Sequence, residues 1–542
     1  MTLAKYPNDT YLNEGKILDE GDKFKDDTWF ERKNQKGGTF VLDDDTYNRV
    51  KSWKTTDDVW VYGYFYWDWA DMSTPIKEIN DSNKSLTTSY CSRYGFKENG
   101  NYYFYNILEE LDAPNEYYID RDTNILYFYP SEDLSTSQIT LSITTTPIFI
   151  FNEDAKYINL NGLTIQGTRS DAVSMNGNNC EISNCLIQNA ADAGISVLGS
   201  NNIISGNEIC HTGKDAIVLN IDFDDYRQSE VVYGNSVMDS IKNYGHGYNI
   251  VDNNSLHDIG EIQKTYIAGV NMEGTGNKVS HNEIYNAPHT GILYYGNDHV
   301  IEYNHIHDVV LQSSDAGAIY TGLSYCTYGN VIRYNCINDI GSDSFTPSAI
   351  YFDDGSSGQT AYGNVLVNIP SYAFLIGGGR DNTVTDNLII NAQKGIDYDD
   401  RLYDGYHNNG WFAKNVTDPQ GRTWEIMKFG KKFNNAIGNK YEGVNKMNQD
   451  YAHVDAPNFV VNPAGSNVNG NVIIKKDGKI GDIAESVYEY SNVKYNFTYK
   501  LEDVDEFFTD LDNGNYSFVD NCKLVTDNEK LKDIDFSKIG RY

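Results

Sequence analysis

The chain has 542 residues, a formal net charge of −34 and 40% hydrophobic residues, with 43 Tyr against 22 Phe. So much negative charge repels phosphate backbones and argues against nucleic-acid binding, while the apolar fraction excludes wholesale disorder. Seven scattered cysteines with no C-x-x-C pair fit neither a zinc ribbon nor a disulfide framework, and read as small buried apolar residues.

The opening MTLAKYPNDTYLNEG has no apolar core of a secretory leader, and no apolar run approaches the ~18 residues that span a bilayer. Residues 1–150 form an N-terminal β-rich region, dense in Asp, Tyr and Trp. VWVYGYFYWDWAD reads as a strand, and EYYIDRDTNILYFYP as two strands around an Asp-rich turn.

Residues 151–410 carry a repeat. An apolar residue, two variable positions, Asn, one residue and another apolar recur at Asn184, Asn207, Asn254, Asn282, Asn304, Asn335, Asn364 and Asn387, with VVYGNSV adding Asn235. Clear copies lie 22 to 31 residues apart, apart from one gap of 47 with room for two turns. A second phrase interleaves at a similar period: Gly or Ala, Ile or Val, then alternation, as in AGVNMEG, TGILYYG, GAIYTG, SAIYFDD and KGIDYDD. Gly, Asn and β-branched residues in every copy exclude helical solenoids, and the leucine-rich skeleton is missing. The expected fold is therefore all-β: a right-handed parallel β-helix of nine or ten rungs. Asn at a fixed corner would bond the rung above and stay buried. Past residue 410 the Asn phrase is not evident, and 411–542 reads as a capping and wrapping segment.

Alternation turns the Ile of each second phrase inward and the positions one and three later outward. The outward set comprises Asn271 and Glu273, Leu293 and Tyr295, Tyr320 and Gly322, Tyr351 and Asp353, and Asp397 and Asp399. Nearby loops add His289, His305, His307, Arg380 and Trp411. Carboxylates and phenols along a parallel sheet suit a carbohydrate groove, where two acids serve as general acid and as nucleophile or base. Tyr320, Tyr351, Glu273, Asp397 and Arg380 are the expected sugar-positioning residues. The acids stand out in QSSDAGAIYTG, with Asp315 before its strand, and SAIYFDDGSSGQT, with Asp353 and Asp354 at its end.

Several phrases resemble the right-handed β-helix glycoside hydrolases, most closely the family 141 group and more distantly families 120 and 136. They are LAKYPN, YGYFYWDWAD, NILEELDAPNEYYIDRDTNILYFYP, SSDAGAIYTG, IYFDDGSSGQTAYGN, IGGGRDN and DFSKIG, in order along nearly the whole chain. The resemblance implies cleavage of glycosidic bonds in plant-wall or host glycans, with fucosidase-, xylosidase- or xylanase-like activity. It further implies a catalytic pair of Asp315 with Asp353 or Asp354.

Straight strands would hold Asp315 and Asp353 about 20 Å apart, so the pairing requires residues 315–317 to fold back. Asp353 with Asp399, two rungs apart in one column, and Asp308 with Asp315 remain alternative pairs. A Ca²⁺-dependent polysaccharide lyase and a non-catalytic glycan-binding rod also stay open. The expected partner is a carbohydrate, with no nucleic acid and no membrane. No catalytic metal or cofactor is implied, although Ca²⁺ could serve structurally. Polymer-directed chemistry points to a secreted or cell-surface protein, a cytoplasmic one being the alternative.

Overall fold

The computed structural model describes residues 1–23, 35–137, 139–221, 244–322, 325–410, 439–450, 460–511 and 514–542, with 435 and 437. Residues 1–141 form one compact unit, and the described residues from 142 onward form a second.

The first unit is antiparallel apart from one short edge pairing. A sheet built on strands Trp60–Tyr64, Met72–Asn80 and Asn101–Tyr105 buries Val61, Phe104, Phe40 and Phe96. The helix Asp44–Ser52 starts where Asp43 accepts a hydrogen bond from the Thr46 amide at 2.8 Å, satisfying a donor of the first turn. Glu116–Asp120 and Ile125–Phe128 pair around the Asp-rich turn as expected.

The second unit is a right-handed parallel β-helix with three sheets of ten, eleven and eleven strands. Register is kept from turn to turn. In the second sheet Ile204, Val251, Val279, Ile301, Ile332, Ala361, Val384 and Val468 stack in one column, all fully buried. Each buried Ile or Val in such a column contributes on the order of 1.5–3 kcal/mol through lost water contact.

The corner between the second and third sheets carries the expected amide ladder. Asn207 accepts from the Cys185 amide, and Asn254, Asn282, Asn304, Asn335, Asn364, Asn387, Asn471 and Asn496 continue upward. Asn335 shows why the position demands Asn. Its Oδ1 accepts from the backbone and side chain of Asn304, and its Nδ2 donates to the Ile301 carbonyl at 3.0 Å and to Asn364 Oδ1 at 3.0 Å.

Four expectations need correction. Asn184 is not a rung of the ladder: Cys185 holds that place, while Asn184 takes the left-handed corner position (φ 51°) that Gly206 occupies one turn later. The 47-residue gap holds one turn rather than two, because Ile203 pairs directly with Ile250. Asn235, inside that gap, lies outside the described residues. The coil does not stop at 410, since Asn467–Asn469, Val472–Lys475, Asn492–Lys494 and Phe497–Lys500 extend the second and third sheets. The coil therefore exceeds the nine or ten rungs expected, and the tail proper begins near residue 501. Its Phe507, Phe508, Leu524, Leu531 and Ile534 cover outward Cys336, Val365, Leu388 and Val472 of the third sheet.

All seven cysteines are buried and free. No helix among the described residues is long and apolar enough to cross a membrane.

Replacing Asn335 by Ala removes the acceptor of the Asn304 backbone amide and one partner each from the Asn304 side chain and the Ile301 carbonyl. The expected loss is about 2 kcal/mol or more, read as a lower urea midpoint. Asn184→Gly, at a position where glycine is at ease, should change stability by less than about 0.5 kcal/mol.

Candidate active site

The first sheet places its acids through register. Tyr320 pairs with Tyr351, Gly322 with Asp353, and Gly377 with Asp399. Asp353 and Asp399 therefore stand in one column two rungs apart, as expected, with Gly377 between them. That glycine leaves room for a cation that strand alternation does not point to, Arg401. A Cβ on Gly377 would lie 2.8 Å from Arg401 Cζ. Arg401 opens the short helix Arg401–His407 and lays its guanidinium, 12% exposed, across the acids. Its Nη1 donates to Asp353 Oδ1 at 3.1 Å and Asp354 Oδ1 at 2.8 Å, and its Nε to Asp399 Oδ1 at 2.9 Å.

Asp353 is held on its other side as well. Its Oδ2 accepts from the Tyr320 hydroxyl at 2.8 Å, and its Oδ1 from the Asp354 amide at 2.8 Å. Burial and the charge of Asp354 push its carboxyl well above the usual range, against the pull of Arg401.

Asp315 reaches this cluster by the fold-back that straight strands would forbid. It sits in the left-handed region (φ 51°), and its Oδ1 accepts from the Tyr351 hydroxyl at 3.1 Å. Gly317 permits the approach, because a Cβ there would stand 2.9 Å from Tyr351 Cβ. The charges of both Asp353 and Asp315 bear on the Tyr351 hydroxyl, and the charge of Asp315 bears on Asp353. The residue Asp315 remains exposed, yet its carboxyl is desolvated enough to be raised, with Tyr351 and Arg401 opposing.

The other expected residues fall in different places. Tyr320 and Tyr351 are 6% and 2% exposed, so neither ring is an open stacking face for sugar; their hydroxyls hold carboxylates instead. Arg380, 2% exposed, turns to Asp381 at 3.0 Å and is not joined to the acid cluster; Arg401 takes the place expected for it. Glu273 is half-buried, three rungs below Asp353 in the same column, ~14 Å away. Asp397 is half-buried near Asp399, whose charge, after burial, lifts its carboxyl to about 6.

Asp308 does not pair with Asp315. It follows strand His305–His307 of the third sheet, where its Oδ2 accepts from His307. His305 and His307 are on that sheet too, and not beside the groove. His289 is buried against Ser313 at 2.6 Å, and burial lowers it to about 3, so it is a neutral interior group. Trp411 lies outside the described residues. A hollow of about 460 Å³ lined by Asn368, Asn391, Gln393 and Lys475–Asp477 contains none of these acids.

Residues 268–410, a span holding every member of the cluster, match the family model described as a right handed beta helix region. A solved structure described as a glycoside hydrolase is similar over 72% of this chain and 78% of its own length, at 15% identity and TM-score 0.51. A complex of XylC with xylose covers 83% of this chain and 68% of its own, at 12% identity and TM-score 0.32. PfbA, a surface adhesin of Streptococcus pneumoniae, covers 48% and 72%, at 12% and 0.35. No curated protein matches the chain. The family model and the likeness to the glycoside hydrolase structure agree with the β-helix fold described above.

The raised carboxyls make stability depend on pH. Between the unfolded value near 3.8 and about 6, the folded protein alone keeps the Asp397 proton, so the wild type loses stability as pH rises through that window. Asp397→Asn should therefore melt above the wild type at pH 8 and level with it near pH 4, in paired thermal scans.

Proposed function

We propose that the second unit is a glycoside hydrolase in which Asp315 and Asp353 are the catalytic carboxylate pair. The observation carrying this reading is that two phenols packed edge to face on adjacent rungs each hold one acid, Tyr351 donating to Asp315 at 3.1 Å and Tyr320 to Asp353 at 2.8 Å. Paired acids about 5–5.5 Å apart suit a retaining mechanism, and 6.5–9.5 Å an inverting one. With the two acids held by neighbouring phenols of one packed pair, the closer, retaining spacing is the one proposed.

Asp353, the more enclosed of the two and held above the usual range, keeps its proton near neutrality and acts as general acid on the departing oxygen. Asp315, exposed at the mouth of its strand, attacks the anomeric carbon. Once the leaving group has gone, Asp353 takes a proton from water, which then hydrolyses the glycosyl ester. Arg401 and Asp354 are positioning residues: the guanidinium fixes Asp353 and limits how far its carboxyl rises. Glu273 and Asp397 remain candidates for sugar hydroxyls. The likeness to a glycoside hydrolase over most of both chains supports the reaction class. The resemblance to the family 141 group supports plant-wall or host glycans as substrates and a secreted or cell-surface location.

A lyase would need a Lys or Arg base, whereas Arg401 is bound to three carboxylates. On a panel of nitrophenyl glycosides and plant or mucin oligosaccharides, Asp315→Asn and Asp353→Asn should each lower kcat by about 10²–10⁴-fold while leaving the far-ultraviolet spectrum unchanged. Turnover close to wild type in either variant would remove that residue from the pair. Products should carry new reducing ends, persist in EDTA and show no unsaturated-sugar absorbance; the opposite pattern would establish a lyase.

A further inference from the structure

The outer face of the third sheet has a second concentration of chemistry, separate from the acid cluster. Two outward columns run up it. One passes through Glu208, Ser255, Glu283 and His305, the other through Cys210, His257, Tyr285 and His307. Neither column contains Lys or Arg over this stretch. The tail covers the face from Cys336 upward, where the outward residues become apolar.

We propose that Glu283, His305 and His307 bind a borderline divalent transition-metal ion of the Zn²⁺ class. One ligand atom from each lies within 4.8 Å of the other two, and His307 Nε2 is 3.8 Å from Glu283 Oε1. A tetrahedral zinc with bonds of about 2.0–2.1 Å separates its ligand atoms by ~3.4 Å, so the His307–Glu283 pair needs to close by about half an ångström and the remaining pairs by ~1.4 Å at most, within reach of side-chain rotation. Two imidazoles and one carboxylate suit Zn²⁺, Co²⁺ or Ni²⁺; Ca²⁺ and Mg²⁺ call for more oxygens.

The surrounding bonds orient both rings for this work. His307 Nδ1 is 2.8 Å from Asp308 Oδ2, the carboxylate–imidazole arrangement that leaves Nε2 free to coordinate. His305 Nε2 is 2.8 Å from Asn338 Oδ1. Asn338 donates its own amide to Asp339 at 2.8 Å, so its oxygen faces His305 and leaves Nδ1 as the open lone pair. The His307 ring stacks on Tyr285 at 5.1 Å and 4°, so little side-chain freedom is left to lose on binding.

The same design appears two rungs lower. Glu208, Cys210 and His257 also lie within 4.8 Å of one another. His257 Nδ1 meets Asp258 at 2.6 Å, and its Nε2 stands 3.5 Å from Glu208. In both places a Glu on one rung faces a His on the next, and an Asp follows that His in sequence. Three protein ligands leave a fourth position for water or an external donor.

The test uses tag-free full-length protein, stripped with chelator and dialysed. Calorimetric titration with ZnCl₂ should show saturable binding, and Co²⁺ should give the visible bands of four-coordinate cobalt. His305→Ala/His307→Ala should remove one ion from the stoichiometry and most of the cobalt absorbance. Asp308→Ala, which leaves all three ligands in place, should weaken binding by about 10–100-fold. Zn²⁺ should raise the melting temperature of the wild type more than that of the double variant. No saturable uptake by the wild type, unchanged stoichiometry in the double variant, or equally tight competition by Ca²⁺ would each overturn the proposal.

Discussion

A parallel coil must turn a sharp corner between sheets on every rung, and at each corner a backbone amide points where no strand can receive it. In this protein a buried side chain from the next rung accepts that amide, and the rest of the second unit depends on the device. The Asn207-to-Asn496 ladder fixes one corner. A second ladder runs along the corner between the first and second sheets through Asn202, Asn249, Asn277, His299 and Asn330, and again from Gln359 through Asn382, Ser466 and Ser491. An unsatisfied amide in that interior would cost on the order of 1–3 kcal/mol per rung, comparable to burying one of the stacked aliphatic residues. Corner and column must therefore agree, and their agreement keeps the register unshifted from turn to turn. That register sets Gly377 between Asp353 and Asp399 and lets one guanidinium reach both.

The legible part of the fold was the part written in one residue type. Asn recurs at the first corner because only a primary amide can accept and donate along the stack. The second ladder escaped notice because Asn, His, Gln and Ser alternate in it, although each stands five residues before its partner in the first: 202 and 207, 277 and 282, 330 and 335. The last turns were also present in sequence, as VNGNVI around Asn471 and VKYNFT around Asn496. An 84-residue separation from Asn387 hid the continuation.

At the acid cluster, alternation correctly placed Asp353 and Asp399 in one column. It could not supply Asp315, whose left-handed backbone breaks the alternation, or Arg401, which lies beyond the strand's end. Arg380 belongs to a loop neighbouring the groove, which made it an expected sugar-positioning residue; its side chain instead enters the interior beside Asp381. The phenols of Tyr320 and Tyr351 looked like sugar platforms, but two large rings in adjacent rungs pack edge to face at 5.3 Å and are covered. Their polar ends are what reach the acids.

The tail gives the coil a property its repeats lack. In a stack held only by neighbour-to-neighbour contacts, terminal turns can peel away singly, each at its own modest cost. Here the strand Phe497–Lys500 in the last turn leads into a strap that descends the third sheet and ends with Tyr542 bonded to Asn253 and Asp252, nearly 290 residues back in the chain. Detaching the uppermost turn thus tugs on a belt fastened near the middle of the column. Gradual unzipping from that end gives way to a more concerted rupture.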